Sequence, residues 1–319
     1  MSETQAISVS QLAIYNPQRI SDEVMMQVFI ARKKIFQLLM RKIRQEQPNS
    51  IPQHHLIIAL RGMGKSTLLK RMEVEFRQAP YKENFIPLLY PEEQYNLSNL
   101  AEFWLNSLDA LADTLEVEKE NTVYQEIDQQ IQQLNKITDA TLLAKKAHQY
   151  FLAVTQKLGR RPVLLVDNLN LIFNRLSKAE QHTLRAWLMQ NKAPILMGAS
   201  AVSIEDTHNY SMPFYDAFQQ HYLQKLTFEE SVEILKELAK LTQSEAILPS
   251  IHQEIGRLKT IHHLTGGNPR TSVMLFRLIS KGFSKELNDD LEALLDEITP
   301  LYKARFEALS DSQQKIVDA

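Results

Sequence analysis

The chain has 319 residues, of which 44% are hydrophobic, so it is long and apolar enough to form two domains with buried cores. Its formal net charge of −2 gives no general attraction for nucleic acid, and the lack of cysteine excludes disulfide bonds and cysteine-ligated zinc. No apolar run approaches the roughly 20 residues of a membrane-spanning helix, and the N-terminus lacks a basic-then-apolar signal, so we expect a cytoplasmic protein without a membrane partner.

The first 50 residues are expected to form an N-terminal segment that contains a basic helix. Residues 1–20 are polar and irregular, and Ser21 precedes an acidic stretch with apolar spacing that is typical of a helix start. A break is expected near Phe29. Residues 32–44 contain no acid, and this charge run favours a solvated helix face, with a nucleic-acid patch as the alternative. Its basic residues are Arg32, Lys33, Lys34, Arg41, Lys42 and Arg44.

The strongest functional signal is a glycine-containing loop between a predicted strand and a predicted helix. An apolar run at 55–60 leads into A-L-R-G-M-G-K-S-T at 59–67, which a helical pattern follows. Glycine lacks a Cβ, so backbone N–H groups here can turn inward around a phosphate, and the positive end of the helix points the same way. The pattern G-x-x-x-x-G-K-[ST] has Ala59 first, which alanine can fill where φ stays negative. The predicted nucleotide-binding residues are Arg61, Gly62, Met63, Gly64, Lys65, Ser66 and Thr67.

Beyond this loop, apolar strands alternate with helices, which indicates a parallel sheet covered on both faces. The second strand, 85–90, contains Pro87 and is therefore expected at the edge of the sheet. Residues 98–159 are helical in pattern, and a glutamine-rich stretch within them keeps helical spacing of its apolar residues. Further strands are predicted at 163–167, 194–198 and 222–226, a helix at 177–191, and only helices after Thr227.

Polar side chains near the ends of these strands complete the candidate site. Lys65 can reach the β- and γ-phosphates, and the Ser66 hydroxyl and the Asp167 carboxylate are predicted to hold Mg²⁺. Asn168 stands at the position where many ATPases with a phosphate-binding loop have a glutamate that orients the attacking water. Because an amide cannot accept a proton as a carboxylate does, hydrolysis is expected to be slow. Ser200, at the tip of the fourth strand, either contacts the γ-phosphate or caps a turn.

Two further segments contain residues that could act at the nucleotide site. Glu92 and Glu93 follow the second strand and are the nearest acids that could replace the missing glutamate; an ordinary solvated loop is the alternative. The sequence G-G-N-P-R at 266–270 predicts a sharp turn that opens a helix, from which Arg270 can reach the γ-phosphate; a simple helix break is the alternative. The adjacent histidine pairs at 54–55 and 262–263 are expected in the core or on the surface rather than on a metal.

Together these motifs resemble the AAA+ ATPases of the origin-recognition, archaeal-ATPase and STAND-like group. The resemblance covers about residues 24–300 and rests on G-M-G-K-S-T at 62–67, V-L-L-V-D-N at 163–168, Ser200 and T-G-G-N-P-R at 265–270. The segment 28–39, which includes Phe29, also resembles that group's box before the first strand, whose backbone and apolar residues cradle adenine. Arg175 and Arg185 are guesses for an arginine finger.

The resemblance implies an α/β fold in which a five-stranded parallel sheet of order 5-1-4-3-2 precedes a helical lid, with ATP or ADP bound between them. Pro269 and Arg270 would contact the nucleotide from the lid, and homo-oligomers would form with nucleotide at or near the interface. The expected domains are 1–50, a core at 51–227 with an insertion at about 98–159, a lid at 228–300 and, at 301–319, the start of a truncated winged-helix domain. In this last segment Ser310 is expected to cap a helix that stops abruptly at Ala319.

These features predict an ATP-binding AAA+ module, a slow ATPase whose nucleotide state controls assembly through contacts of Lys65, Ser200 and Arg270 with the last phosphate. Settings of such modules include antiviral defence, transposition control and replication loading, with DNA or an effector protein as partner. Two alternatives stay open. One is a scaffold that holds nucleotide without hydrolysing it, which Asn168 favours; the other is a DNA-binding regulator that uses the basic helix or a C-terminal domain.

Overall fold

A computed structural model of the chain describes most of its first 280 residues. The described residues fall into two compact units, one within Tyr15–Gln224 and the other within Met1–Ile14 and Lys225–Ala319. Glu92 and Glu93 lie outside the described residues, as does the whole segment 301–319 with Ser310. The structure describes residues 7–9, 12, 16–91, 97–119, 121–201, 213–214, 216–280, 289, 292–294 and 296.

Five parallel strands form one sheet in the first unit. They are β1 (His54–Ile58), β2 (Phe85–Leu89), β3 (Arg161–Val166), β4 (Ile195–Ser200) and β5 (Phe218–Tyr222). Their spatial order is β2-β3-β4-β1-β5, which confirms the predicted order of the sheet. Pro87 lies on the edge strand β2, as predicted, where only one neighbouring strand requires hydrogen bonds.

Apolar residues of the inner strands alternate between two cores, one on each face of the sheet. Leu56 and Leu164 belong to one core, whereas their neighbours Ile57 and Leu165 belong to the other. Because both faces are covered, these strands appear in the sequence as continuous apolar runs. The helices of this unit are α1 (Asp22–Val28), α2 (Lys33–Arg44), α3 (Lys65–Phe76), α4 (Leu100–Val117), α5 (Asn121–Leu134), α6 (Ala140–Leu158), α7 (Leu169–Arg175) and α8 (Lys178–Leu188).

The insertion between β2 and β3 consists of the three helices α4, α5 and α6, as predicted. Trp104 of α4 is fully buried, with Phe103 edge-on against it and Phe151 of α6 beside it. The glutamine-rich α5 is helical because Ile127 and Leu134 bury one stripe, while most of its glutamines are exposed. The insertion therefore extends the core on one face of the sheet.

The described part of the second unit consists of short helices, as the sequence predicts. Its first helix begins with a capping box, in which the Thr227 hydroxyl accepts from the Glu230 N–H and the Glu230 carboxylate accepts from the Thr227 N–H. Among the helices described in either unit, none is long and apolar enough to cross a membrane. The helices are α9 (Phe228–Leu241), α10 (Leu248–Gln253), α11 (Ile255–Thr265) and α12 (Pro269–Ile279).

The prediction of a strand at 222–226 is wrong. β5 ends at Tyr222, where that strand was to begin, and it pairs with β1 along its full length. As an edge strand, β5 buries only Phe218 and His221 and so has no continuous apolar run for a sequence to show. The apolar residues that suggested a strand, beginning with Leu223, lie beyond it. The other four strands differ from their predicted limits by at most two residues at either end.

Three buried histidines lie in β1 and β5. The Nδ1 atom of His54 accepts from the Leu196 N–H at 3.1 Å, so its Nε2–H donates to the Leu188 carbonyl at 3.3 Å. His55 Nδ1 and His221 Nε2 are 3.1 Å apart on neighbouring strands. Burial lowers the pKa of His54 to about 4, that of His55 to about 3 and that of His221 to about 4.

A fourth histidine, His148, is buried between α6 and its aromatic neighbours. Its ring stacks on Trp187 with centroids 4.2 Å apart, and burial lowers its pKa to about 4. The Nε2 atom of His148 has no hydrogen-bond partner among the described residues. A proton on this ring would therefore be poorly solvated in the folded chain.

We expect the free energy of unfolding to fall as the pH decreases from about 6.5 to about 3. In this window the four histidines, whose ordinary pKa is 6.5, become protonated in the unfolded chain at a higher pH than in the folded chain. The loss is complete near pH 4 for His54, His148 and His221 and near pH 3 for His55. His148→Phe removes one such group and keeps a stacked ring, so its thermal midpoint should fall less between pH 7 and pH 5. His182→Phe, at an exposed position on α8, should retain the wild-type pH dependence. Identical pH profiles for all three proteins would contradict this account.

Gly198 in β4 is where α7 approaches the sheet closely. A Cβ at this position would lie 2.3 Å from Leu169 Cδ2, and the fully buried Leu169 has little room to move. Gly198→Ala should therefore lower the free energy of unfolding by about 1–3 kcal/mol in urea denaturation. Gly256→Ala on α11 is the matched control, since no described atom lies within 4 Å of the added Cβ, and it should be neutral or stabilising by up to about 1 kcal/mol. Equal effects of the two substitutions would refute the close packing of α7.

Candidate functional site

The loop between β1 and α3 combines two left-handed glycines with an open helix start. Gly62 and Gly64 have φ values of 81° and 88°, a region that other residues adopt only with strain. Gly64 immediately precedes α3, and no described side chain caps that helix. Around a Cβ placed on Gly64, no described atom lies within 4 Å. The start of α3 therefore has no side-chain cap, and its positive end suits an anion.

Lys65, the first residue of α3, is held beneath the same loop. Its side chain is buried, and Nζ donates to the Ala59 carbonyl at 2.7 Å and to the Leu60 carbonyl at 3.1 Å. Ala59 does not have a positive φ, so alanine meets no strain where the sequence pattern has glycine. The Met63 N–H donates to the Leu60 carbonyl at 3.4 Å and its side chain is buried, so Met63 fixes the turn rather than presenting a side chain.

The second residue of α3, Ser66, meets the acid that follows β3. The Ser66 hydroxyl donates to Asp167 Oδ2, and the other carboxylate oxygen, Oδ1, accepts from the Asn168 N–H at 2.8 Å. Both oxygens of this buried carboxylate are therefore oriented. The structure thus brings together the two residues that were predicted to hold Mg²⁺, and hard oxygen atoms of this kind are the ligands that Mg²⁺ prefers.

Asn168 has a left-handed backbone at the start of α7, with φ of 51° and ψ of 39°. Asparagine tolerates this region better than other residues that carry a side chain. No described hydrogen bond from its side chain caps α7. The amide at this position therefore has a backbone explanation, independent of any role in chemistry.

Ser200 is the last residue of β4 and is fully buried. Because β4 lies between β1 and β3, this position is next to both the loop and Asp167, and the Ala59 N–H donates to the Ser200 carbonyl at 3.2 Å. The Ser200 hydroxyl donates to Asn170 Oδ1 at 3.1 Å. The motifs did not indicate Asn170; its one signal in the sequence is its place three residues after Asp167, in the first turn of the following helix.

The segment 28–39 also contacts the loop. Arg32 has a φ of 68°, and its Nε–H donates to the Met63 carbonyl at 3.4 Å. Phe29 is buried in the core that contains Ala59 and Met63, and its ring lies edge-on to Phe36 with centroids 5.5 Å apart. The charge pattern placed Arg32 only in the basic helix. Its contact with the loop depends on where α2 packs and leaves no signal in the sequence.

The two arginines considered as arginine fingers each contact their own unit. Arg175 Nη1 donates to the Leu97 carbonyl at 3.5 Å, and Arg185 Nη1 donates to the Pro213 carbonyl. These contacts join α7 and α8 to neighbouring segments of the chain. A contact of either arginine with a second subunit stays a prediction.

In the second unit, the turn at 266–270 is present as the sequence predicts. Gly266 and Gly267 have φ values of 68° and 65°, and a Cβ on Gly267 would lie 2.4 Å from the Leu226 carbonyl oxygen. Pro269 is the first residue of α12, and the Asn268 side chain caps the helix by accepting from the Arg270 N–H at 2.9 Å. Gly267 is thus explained by the close approach of two backbone segments, and Gly266 by its left-handed conformation at the end of α11.

Known structures share the fold of this chain, although its sequence matches no known family. No family model matches the chain, and no curated protein sequence does. The structure of the Aeropyrum pernix ORC2 protein in ADPNP–ADP complexes is 14% identical with a TM-score of 0.54, over 83% of this chain and 67% of that one. The ADP form of the same protein is 12% identical with a TM-score of 0.50, over 82% of this chain and 66% of that one. The chain thus spans about two thirds of the length of these structures, and its fold is that of the AAA+ P-loop ATPases.

Proposed function

We propose that the chain is a nucleotide-binding AAA+ module that holds ATP or ADP on the loop between β1 and α3. The observation that carries this proposal is the geometry of that loop. Two left-handed glycines, a helix start without a side-chain cap and the buried Lys65 lie directly beside the Ser66–Asp167 contact. The ORC2 structures, which share the fold, were solved with ADPNP and ADP, and this supports a purine nucleotide as the ligand.

The triphosphate is proposed to lie against the backbone between Arg61 and Thr67. N–H groups of this stretch and the positive end of α3 stabilise its negative charge. Lys65, which now donates to two loop carbonyls, exchanges them for phosphate oxygens, and these are stronger acceptors because they are charged. The apolar segment that contains Phe29 is proposed to border the adenine.

Ser66 and Asp167 are the proposed holders of Mg²⁺, with Asp167 acting through water. When bound, the cation supplies charge neutralisation at the phosphates. Asn168 can orient a water molecule by hydrogen bonding, but its amide cannot take up the proton, so we propose that hydrolysis is slow. Lys65, Ser200 and Arg270 are proposed to recognise the terminal phosphate, and Pro269 is proposed to contact the nucleotide.

We further propose that the nucleotide state controls assembly into homo-oligomers. ATP and ADP differ in the terminal phosphate, so a contact made only with ATP can favour one state of the protein over another. A scaffold that binds nucleotide without hydrolysing it is the second candidate. The observation that favours it is Asn168, which directly follows the acid at the end of β3 and whose amide cannot take up the proton of an attacking water.

Lys65→Ala should weaken the binding of Mg-ATP by roughly 10- to 150-fold, because a charge-assisted hydrogen bond to phosphate contributes about 1.5–3 kcal/mol. Isothermal titration calorimetry measures this loss. Lys178→Ala is the matched control, since Lys178 is also the first residue of a helix but is exposed, and its affinity should stay at the wild-type value. Absence of any heat from the wild-type protein with a purine triphosphate would end the proposal.

The same proteins test the switch by light scattering. The wild type should have a larger mass with Mg-ATP than with Mg-ADP, whereas Lys65→Ala should have the same mass with both nucleotides. If the wild type has the same mass with both nucleotides, binds them tightly and releases no phosphate, the scaffold is the supported function.

Asn168→Glu should raise the steady-state rate of phosphate release by about tenfold or more, because a carboxylate can accept the proton of the attacking water. The glutamate meets a left-handed backbone, so stability should fall by about 1 kcal/mol. Asn174→Glu adds the same charge at an exposed position of α7 and should leave the rate unchanged. An unchanged rate in Asn168→Glu, with normal affinity for ATP, would argue against a missing general base.

A further inference from the structure

The exposed side of α2 carries a row of positive charge. Its exposed residues, at positions 33, 34, 37, 41 and 44, fall within an arc of about 100° on a helix of 3.6 residues per turn. The opposite side buries Leu39, Met40 and Ile43 in the core. We call the exposed side the basic face, and it consists of Lys33, Lys34, Gln37, Arg41 and Arg44.

The charge of the basic face is not compensated by the described part of the chain. No residue of α2 is acidic, and the ion pairs of the described residues include none of the four basic side chains of the basic face. The carboxylates of neighbouring elements have other partners. Glu46 pairs with Arg161 at 3.7 Å, and Glu75 of α3 pairs with Arg71 at 2.8 Å. The face therefore presents a local positive field on a chain whose formal net charge is −2.

Helix stability accounts for only half of this charge, since Arg41 and Arg44 lie in the last turn of α2, where the helix dipole favours positive charge. Lys33 and Lys34 lie in the first turn of α2, where the helix dipole disfavours positive charge, and no described side chain caps the helix start. The preceding helix α1 shows the stabilising arrangement, with Asp22 and Glu23 in its first turn. The lysines at the start of α2 thus oppose the local electrostatics of the fold, and an anion bound along the face would relieve that conflict.

We propose that the basic face of α2 binds the phosphate backbone of a nucleic-acid duplex. From position 33 to 44 the face is about 16 Å long, at about 1.5 Å per residue, and a duplex offers roughly one negative charge per 1.7 Å of its axis. Arginine, lysine and glutamine can all donate hydrogen bonds to phosphate oxygens, and phosphate contacts carry no sequence information. The binding is therefore independent of sequence.

An anionic membrane fits this face less well than a duplex does. A helix that lies on a membrane inserts an apolar side among the lipids, whereas the apolar side of α2 is already buried in the protein core. No large apolar side chain of α2 is exposed. Only the charge remains available, which suits a ligand that is charged along its whole length.

The test is fluorescence anisotropy of the full-length chain with a labelled DNA duplex of about 30 base pairs and mixed sequence, without nucleotide. Four phosphate contacts predict a slope of about −3.6 for the logarithm of the binding constant against that of the salt concentration, or roughly 150-fold weaker binding at 200 mM than at 50 mM. The triple variant Lys33→Glu, Arg41→Glu, Arg44→Glu should bind at least about 30-fold more weakly at about 50 mM salt, with a slope near −0.9.

The matched control is Lys145→Glu, Lys146→Glu, Lys157→Glu, which changes the net charge equally at exposed positions of α6 and should bind as the wild type does. Replacing the three α2 residues by glutamine serves where the glutamate variant does not fold, as judged by circular dichroism, and should also weaken binding. Loss of binding in the α2 variants alone supports the proposal. Absence of duplex binding by the wild type, equal loss in the α6 control, no loss in the α2 variants, or binding to phosphatidylserine vesicles in place of the duplex overturns it.

Discussion

The arrangement of the candidate site depends on one backbone constraint, the reversal of the chain between β1 and α3. Gly62 and Gly64 adopt left-handed conformations there, between a strand that is buried throughout and a helix whose inner side, with Leu68 and Leu69, is buried as well. Because both flanks are fixed in the core, the turn cannot relax without disturbing their packing. The start of α3, with Lys65 and Ser66, is thereby held at the carboxyl end of the sheet, where ligands of open α/β sheets bind.

Parallel pairing decides which side chains join this turn. β4 lies between β1 and β3, so Ser200 and Asp167 end their strands beside the loop although they are far from it in sequence. Ser66 then contacts Asp167, and Ser200 contacts Asn170. The polar groups at this edge are thus connected in pairs, and each pair contains one residue from a strand end and one from the start of a helix.

The helix α2 serves two surfaces of the same unit. Its N-cap residue, Arg32, donates to the Met63 carbonyl of the loop, while its outer side is the basic face. The buried side, with Leu39 and Ile43, fixes the helix in the core and leaves the cations to solvent. The two proposed ligands would therefore both be linked to α2. The duplex would contact the helix directly, and the nucleotide would contact the loop to which Arg32 donates.

The sequence by itself determined the features that depend on local pattern. These include the strand, loop and helix around Gly62 and Gly64, the edge position of Pro87 and the acid at the end of β3, because glycine freedom, proline chemistry and apolar runs act within a few residues of the chain. The order of the sheet followed from the resemblance that these motifs carry. The tertiary structure alone decided the features that depend on which distant segments pack together. β5 lies four residues earlier than predicted because pairing with β1, and not its own hydrophobicity, makes it a strand. The contacts of Arg32 with the loop and of Asn170 with Ser200 form for the same reason: they join residues that are neighbours only after the helices have packed on the sheet.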